Sequence, residues 1–141
     1  MPPASLRVLV GGSADTHWFL NFGSSLHESL RQIMAQQHVR LEDLKSVLEF
    51  GCGCGRVLRH WAGVKGPKIH GCDYNARLAD WSRNNLGFAN IAINQAAPPL
   101  PYEDASFDFI YAISVFTHLS ADLQVPWFQE LSRVTMPGGM Y

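Results

Sequence analysis

With 141 residues and 47% hydrophobic side chains, the chain has enough apolar material for one domain with a buried core. Its formal net charge of -1 gives no electrostatic attraction for nucleic acid or for an anionic membrane surface. No apolar run reaches the length of a membrane span, and the first ten residues lack the basic and apolar regions of a secretory leader.

Residues 1–16 carry no decisive pattern. Arg7 to Val10 reads as a short strand that Gly11-Gly12-Ser13 breaks at once. An aromatic cluster, His17-Trp18-Phe19-Leu20-Asn21-Phe22-Gly23, precedes a helix. Ser24 or Ser25 caps that helix, with Glu28 in capping-box position after Ser25. Leu26, Leu30, Ile33 and Met34 then share one face, the pattern of a helix packed on a sheet. The aromatics suit simple core or a partner surface.

Ser46 to Phe50 is the first strand, with Glu49 close to its end. Gly51-Cys52-Gly53-Cys54-Gly55 follows, and Arg56 to Ala62 reads as a helix. Strand, glycine turn and helix in that order open a nucleotide-binding α/β unit. Glycine is required because the turn is tight and a ligand must approach the backbone with no Cβ in the way. The N–H groups at the start of the helix are unpaired and available to a ligand. A dinucleotide fingerprint, G-x-G-x-x-G, would need a third glycine where Arg56 stands. A carboxylate at Glu49 would also repel a pyrophosphate, while it suits a cationic or zwitterionic ligand. Both residues disfavour an NAD-dependent oxidoreductase.

The three cysteines are an odd count, and two of them lie in the glycine turn, which points to a reducing, cytoplasmic setting. Cys52, Cys54, Cys72 and His70 invite comparison with a metal centre. C-x-C inside a glycine turn lacks zinc-ligand spacing, and Cys72 alternates along a strand as a small buried residue, so no metal is assigned.

Gly63-Val64-Lys65-Gly66-Pro67 ends the helix, and Lys68 to Asp73 is the second strand. Asp73 follows the turn at close to the interval of about 20 residues at which this fold class places a carboxylate on ribose hydroxyls. A single acid there also suits the cap of a helix from Asn75 to Leu86. With the glycine turn upstream, ribose binding is the better reading. Asn90 to Ile93 is a short third strand, and Ala97 to Ser106 a turn-rich bridge. Phe107 to Ile113 is a fourth strand, almost continuously apolar, as a sheet covered on both faces requires. Ser114 to Leu119 leaves its end. Ser120 or Asp122 begins the last helix, with Leu123, Trp127, Leu131 and Val134 facing inward. The expected fold is α/β: a doubly wound, mostly parallel, Rossmann-like sheet of order 3-2-1-4 with helices on both faces.

The run Glu49 to Gly55, E-x-G-x-G-x-G, resembles the first motif of the class I S-adenosylmethionine-dependent methyltransferases. L-P-Y-E-D-A-S-F-D-F-I-Y followed by S-V-F-T-H-L is similar to the region around their fourth strand. The ending R-V-T-M-P-G-G-M-Y resembles their R-V-L-K-P-G-G turn into the fifth strand. The resemblance runs from Phe19 to Tyr141, with its signals in the family's order. It implies S-adenosylmethionine as cofactor, lying across the C-terminal ends of the strands. Gly51, Cys52, Gly53 and Gly55 would admit it, with Glu49 near its amino end. Asp73 would accept both ribose hydroxyls, and Tyr74 would flank the adenine. Ser114 and Val115 would border the methionine portion. His118 is the one candidate for proton transfer near the methyl group, unless it is a structural residue starting a helix. The family's acid after the third strand is replaced by Asn94-Gln95-Ala96-Ala97, so the adenine contact would come from an amide, Asn94 or Gln95, or from the backbone.

The resemblance also turns the aromatic cluster into a candidate lid. Residues 1–45 then form an N-terminal lid and helix region, and 46–141 the cofactor-binding core of one domain. The chain is expected to stop at a fifth strand that is missing or only a stub. That would leave the fourth strand's edge open to a second copy, as a homodimer, or to the last helix swinging over it. The implied activity is methyl transfer to an unidentified small-molecule acceptor. A non-catalytic cofactor-binding or interaction module is the alternative, and an NAD-dependent oxidoreductase a more distant one.

Overall fold

Five parallel strands run through the middle of the computed structural model, which describes residues 1–141. They are β1 (Ser46–Phe50), β2 (Lys68–Asp73), β3 (Ala89–Ile93), β4 (Phe107–Ala112) and β5 (Thr135–Met140), in the order β3-β2-β1-β4-β5. The chain moves outward from β1 to β3, then crosses back to place β4 on the other side of β1. That reversal opens a crevice beyond the C-terminal ends of the strands.

β1 is hydrogen-bonded on both sides, and Val47, Leu48, Glu49 and Phe50 are all buried. Its alternating side chains feed two cores. Val47 joins Phe109 and Tyr111 with Trp61, Leu41 and Met34 on one face. Leu48 and Phe50 join Ile110 with Trp127, Leu131 and Val134 on the other.

Four helices complete the chain: α1 (Ala4–Gly11), α2 (Thr16–Gln36), α3 (Ala76–Asn85) and α4 (Ala121–Val134). Arg7 to Val10 is therefore helical and not a strand. α1 buries Leu6 against Phe19, Cys54 and Leu78, and Gly12, with φ 72, closes it through an N–H bond to Val8 O. α2 starts at Thr16, ahead of Ser24 and Ser25. The Asp15 carboxylate caps it by accepting the Trp18 N–H at 2.6 Å, so the aromatic cluster forms its first turns. The expected crossover helix Arg56 to Ala62 is instead a run of turns leading into a 3-10 helix at Leu58–Gly63. Three successive positive-φ glycines, Gly51, Gly53 and Gly55, use up the residues from which a regular α-helix would start. Asn75, not Asp73, caps α3, its side chain accepting from Arg77 N and Leu78 N.

The C-terminal residues form a strand of six residues where a stub at most was expected. α4 passes directly into β5, which pairs with β4 through Phe107 with Thr135 and Phe109 with Met140. The register slips between those pairs, where Gly138 adopts φ 80. β4 thus has β1 on one side and β5 on the other. The open edge that would call for a second copy, or for α4 swinging over it, does not exist at β4; α4 packs on the sheet face through Trp127, Leu131 and Val134.

α2 is seated on the glycine turn at a point of backbone contact. A Cβ at Gly23 would stand 2.1 Å from the Arg56 carbonyl oxygen. Gly23→Ala is expected to push α2 off the turn and cost about 1–3 kcal/mol in denaturant unfolding. Gly63→Ala, where a Cβ meets nothing within 4 Å, should stay within about 0.5 kcal/mol of the parent. Equal stabilities for the two variants would show that this seat does not matter.

Candidate functional site

A cavity of about 650 Å³ opens at the C-terminal ends of β1, β2, β3 and β4. Its floor is the glycine turn, which is tied down on two sides. Gly51 N–H and Cys52 N–H both donate to Cys72 O, at 2.8 and 2.9 Å. Gly53 N–H donates to Asp73 Oδ2 at 2.8 Å, and the Ser82 hydroxyl of α3 donates to Gly53 O at 2.9 Å.

Positive φ angles of 78° at Gly51 and 54° at Gly53 already favour glycine, and space enforces it. A Cβ at Gly51 would lie 2.3 Å from Val115 Cγ2, and one at Gly53 would lie 2.8 Å from Val10 Cγ2 of α1. Gly51, Cys52 and Gly53 line the cavity, whereas Gly55 does not. A Cβ at Gly55 would run into Leu86 Cδ1 at 2.4 Å, so that glycine serves the packing of the turn beneath α3.

Asp73 ends β2 with 7% of its surface exposed. Its Oδ1 accepts the Asn75 N–H at 2.8 Å while Oδ2 holds Gly53. Burial raises its carboxyl above the usual range, and these two N–H bonds pull it back. Two donors leave carboxylate lone pairs free for further hydroxyls. Beside it, Tyr74 is 70% exposed on the cavity rim. Asn94, just past β3, is buried; its amide N–H donates to Gln95 O, and its Oδ1 has no partner. Gln95 also lines this end.

At the turn end, Glu49 is 4% exposed and faces Tyr111 across the β1–β4 pairing. Tyr111 Oη donates to Glu49 Oε2 at 3.0 Å and accepts from Trp61 Nε1 at 2.9 Å. Burial pushes the Glu49 carboxyl up to about 8, against the opposing pull of the Tyr111 bond and of Arg56. Arg56 also lines the cavity. Its guanidinium lies 5.0 Å from the Phe22 ring centre and 5.6 Å from that of Trp18, and its buried Nε has no partner. In the sequence, Arg56 marks only the missing third glycine of a dinucleotide fingerprint. What brings it into the site is the aromatic pair of α2, which no local pattern reveals.

The wall after β4 carries Ser114, Val115 and His118, all lining the cavity, with Leu119, Leu123 and Trp127 from the start of α4 and the segment before it. Ser114 adopts φ 59, an uncommon conformation for a residue with a side chain. His118 ends a short 3-10 turn, Phe116–His118. On the opposite side Leu9 and Val10 of α1 line the cavity, and the cluster His17 to Phe22 does not. Eleven of the twelve residues expected from the sequence therefore share one cavity, Gly55 being the exception. The three cysteines are buried free thiols; burial pushes Cys54 up to about 11 and raises Cys52 and Cys72 as well.

A family model described as a methyltransferase domain matches residues 47–139, more than half of the chain. The sterol 4-C-methyltransferase strm-1 of Caenorhabditis elegans is 30% identical over 128 residues, covering 84% of this chain and 37% of that protein. The tRNA N(3)-methylcytidine methyltransferase trm140 of Schizosaccharomyces pombe is 31% identical over 129 residues, covering 78% of this chain and 41% of that protein. Among solved structures, a putative sarcosine dimethylglycine methyltransferase from Galdieria sulphuraria superimposes with a TM-score of 0.69 at 27% identity, over 82% of this chain and 43% of that one. The chain thus spans less than half the length of these relatives. With this sheet order and this glycine turn, the chain belongs to the methyltransferase-domain family, with the fold of the class I S-adenosylmethionine-dependent methyltransferases.

Proposed function

We propose that the chain binds S-adenosylmethionine in the cavity at the strand ends and transfers its methyl group to a small-molecule acceptor. One observation carries the reading: Glu49, the glycine turn, Asp73, Asn94 and the Ser114–Val115 corner, distant in sequence, line a single cavity at the point where the strand order reverses. The three buried thiols fit a reducing, cytoplasmic setting.

The residues present suit such a ligand along its whole length. Asp73 has lone pairs to spare for two ribose hydroxyls. Tyr74 offers an exposed ring to the adenine. The unpartnered Asn94 Oδ1 supplies the acceptor that the adenine amino group needs, in place of the acid other family members carry. At the other end Glu49 meets the ammonium, and Arg56, with an unsatisfied buried nitrogen, meets the carboxylate. When bound, S-adenosylmethionine supplies an electrophilic methyl on its sulfonium. The protein's part is to hold the acceptor in line with that methyl and to exclude water. Val115, Leu119, Leu123 and Trp127 form an apolar wall for an uncharged acceptor, with His118 the one imidazole lining the cavity to take up a proton. The net charge of -1 favours a small molecule over a nucleic acid.

Thermal shift and calorimetry with S-adenosylmethionine and S-adenosylhomocysteine test the reading. Both are expected to bind and to raise Tm by mass action. Because Asp73 also pins Gly53, the milder change is Asp73→Asn, which removes the charge and keeps the size. Its single amide oxygen retains only one of the two N–H bonds, so its Tm without ligand is read beside its affinity. Loss of charge-assisted bonds worth about 1.5–3 kcal/mol should weaken binding by about tenfold or more. Unchanged affinity would rule out ribose at Asp73.

Gly53→Val separates ligand contact from internal crowding. The variant is expected to keep its far-ultraviolet circular dichroism and lose binding. Adding Val10→Ala removes the clash with α1 and should recover part of the lost stability, the strain of a side chain at positive φ remaining, but not affinity. If the double variant binds like the parent, no ligand passes over this turn.

A further inference from the structure

The hydrogen bonds around Glu49 have a fixed direction. An indole N–H can only donate, so Trp61 Nε1 gives its proton to Tyr111 Oη. The Tyr111 hydroxyl in turn donates to Glu49 Oε2. All three side chains are buried, and the neighbour of Glu49 on β2 is Gly71, which has no side chain to offer. The other groups facing the carboxyl are the Leu58 N–H from the 3-10 helix, Cys52 and Arg56 from the turn, and Cys72 and Asp73 from β2. Asp73 opposes a charge on Glu49. Arg56 forms no ion pair with it, its guanidinium resting on Trp18 and Phe22. A negative Glu49 would thus have hydrogen-bond donors but no paired cation in an enclosed place.

We propose that Glu49, enclosed without a paired cation, is a neutral acid in the ligand-free protein, that Tyr111 and Trp61 are positioning residues which orient its carboxyl toward the cavity, and that an ammonium-bearing ligand expels its proton on binding. This rests on the reading of the cavity as the S-adenosylmethionine site. The ammonium is the missing cation. As it docks, the carboxyl O–H bond breaks, the electron pair stays on the carboxylate, and the proton leaves to the buffer. The Tyr111 hydrogen bond remains and aims the carboxylate at the ligand. Affinity for the ammonium-bearing ligand therefore falls by up to about tenfold per pH unit below the range where Glu49 ionises, near 8. The empty protein behaves the opposite way. A carboxyl raised from 4.5 to about 8 contributes stability that is complete below 4.5 and is lost as pH rises through 8.

Calorimetry of S-adenosylhomocysteine in two buffers of different ionisation heat, near neutral pH, counts the protons released. About one proton is expected from the parent protein and none from Glu49→Gln, since one group changes ionisation state. Methylthioadenosine, which lacks the amino-acid portion, should release none from either. Isotope-edited NMR of the empty protein should show the Glu49 carboxyl titrating near 8. In Tyr111→Phe, or in Trp61→Phe should the first fail to fold, it should titrate higher, because the carboxylate has lost its donor. A purely packing role for Tyr111 would not move that titration. Binding of S-adenosylhomocysteine without proton release overturns the coupling, a Glu49 that titrates near 4.5 overturns the neutral acid, and a titration that Tyr111→Phe leaves unmoved overturns the positioning role. If S-adenosylhomocysteine binds to neither parent nor variants, the cofactor reading itself falls, and the release falls with it.

Discussion

The two backbone N–H groups held by the Asp73 carboxylate set the shape of everything around the cavity. One belongs to Gly53 in the glycine turn and the other to Asn75 at the head of α3. A single side chain at the end of β2 therefore joins the strand, the turn and the following helix. Ser82, further along α3, closes the same loop by donating to Gly53 O. A turn of three positive-φ glycines would otherwise be the loosest part of the chain, since glycine gives up the most backbone freedom on folding. Here it is anchored before any ligand arrives, which lowers the ordering cost of binding.

What was legible in the sequence is what depends on local pattern. The four strands β1 to β4 stand out as apolar runs bounded by turn residues, and Glu49, the glycines and Asp73 sit at their C-terminal ends, where a parallel sheet exposes its crevice. What was not legible depends on contacts between distant segments. Arg7 to Val10 reads as a strand, yet only Leu6 of α1 needs to be buried and Gly12 ends it cleanly. Asp15 outcompetes Ser24 and Ser25 as a cap because the residues after it, from Trp18 to Phe22, are themselves helical. β5 is rich in glycine and holds a proline, a poor strand by propensity, and it exists because β4 offers a parallel edge beside it. Arg56 looks like a missing glycine until α2 folds across the turn and supplies two rings for its guanidinium.

The two faces of the sheet do different work. On the α4 side, the bridge between β3 and β4 is fixed by a buried acid: Glu130 accepts the Leu100 N–H at 2.7 Å, and Arg133 reaches from Glu130 to Asp104. That bracket brings Leu100 under Phe107 and Ile110 and sets where β4 begins. On the α2 side, the core carries a polar chain from Trp61 through Tyr111 to Glu49 inside an otherwise apolar cluster. Every member of that chain is hydrogen-bonded, the condition under which a buried polar network is tolerated. One face secures the frame, and the other delivers a carboxyl to the cavity.

The division between shared and individual parts of the site follows from where each wall originates. The family match begins at residue 47, and it takes in the glycine turn, Asp73 and the corner at Ser114. The opposite wall comes from before it. Leu9 and Val10 of α1 line the cavity, and Val10 Cγ2 lies 2.8 Å from where a Cβ on Gly53 would be. α2 rests its Gly23 on the Arg56 carbonyl and its aromatic rings on the Arg56 guanidinium. The helices ahead of the sheet thus decide how much room remains above the turn and where the one buried cation beside it can point. Any change in them reaches the cavity through van der Waals contact with the turn, with no need for movement in the sheet.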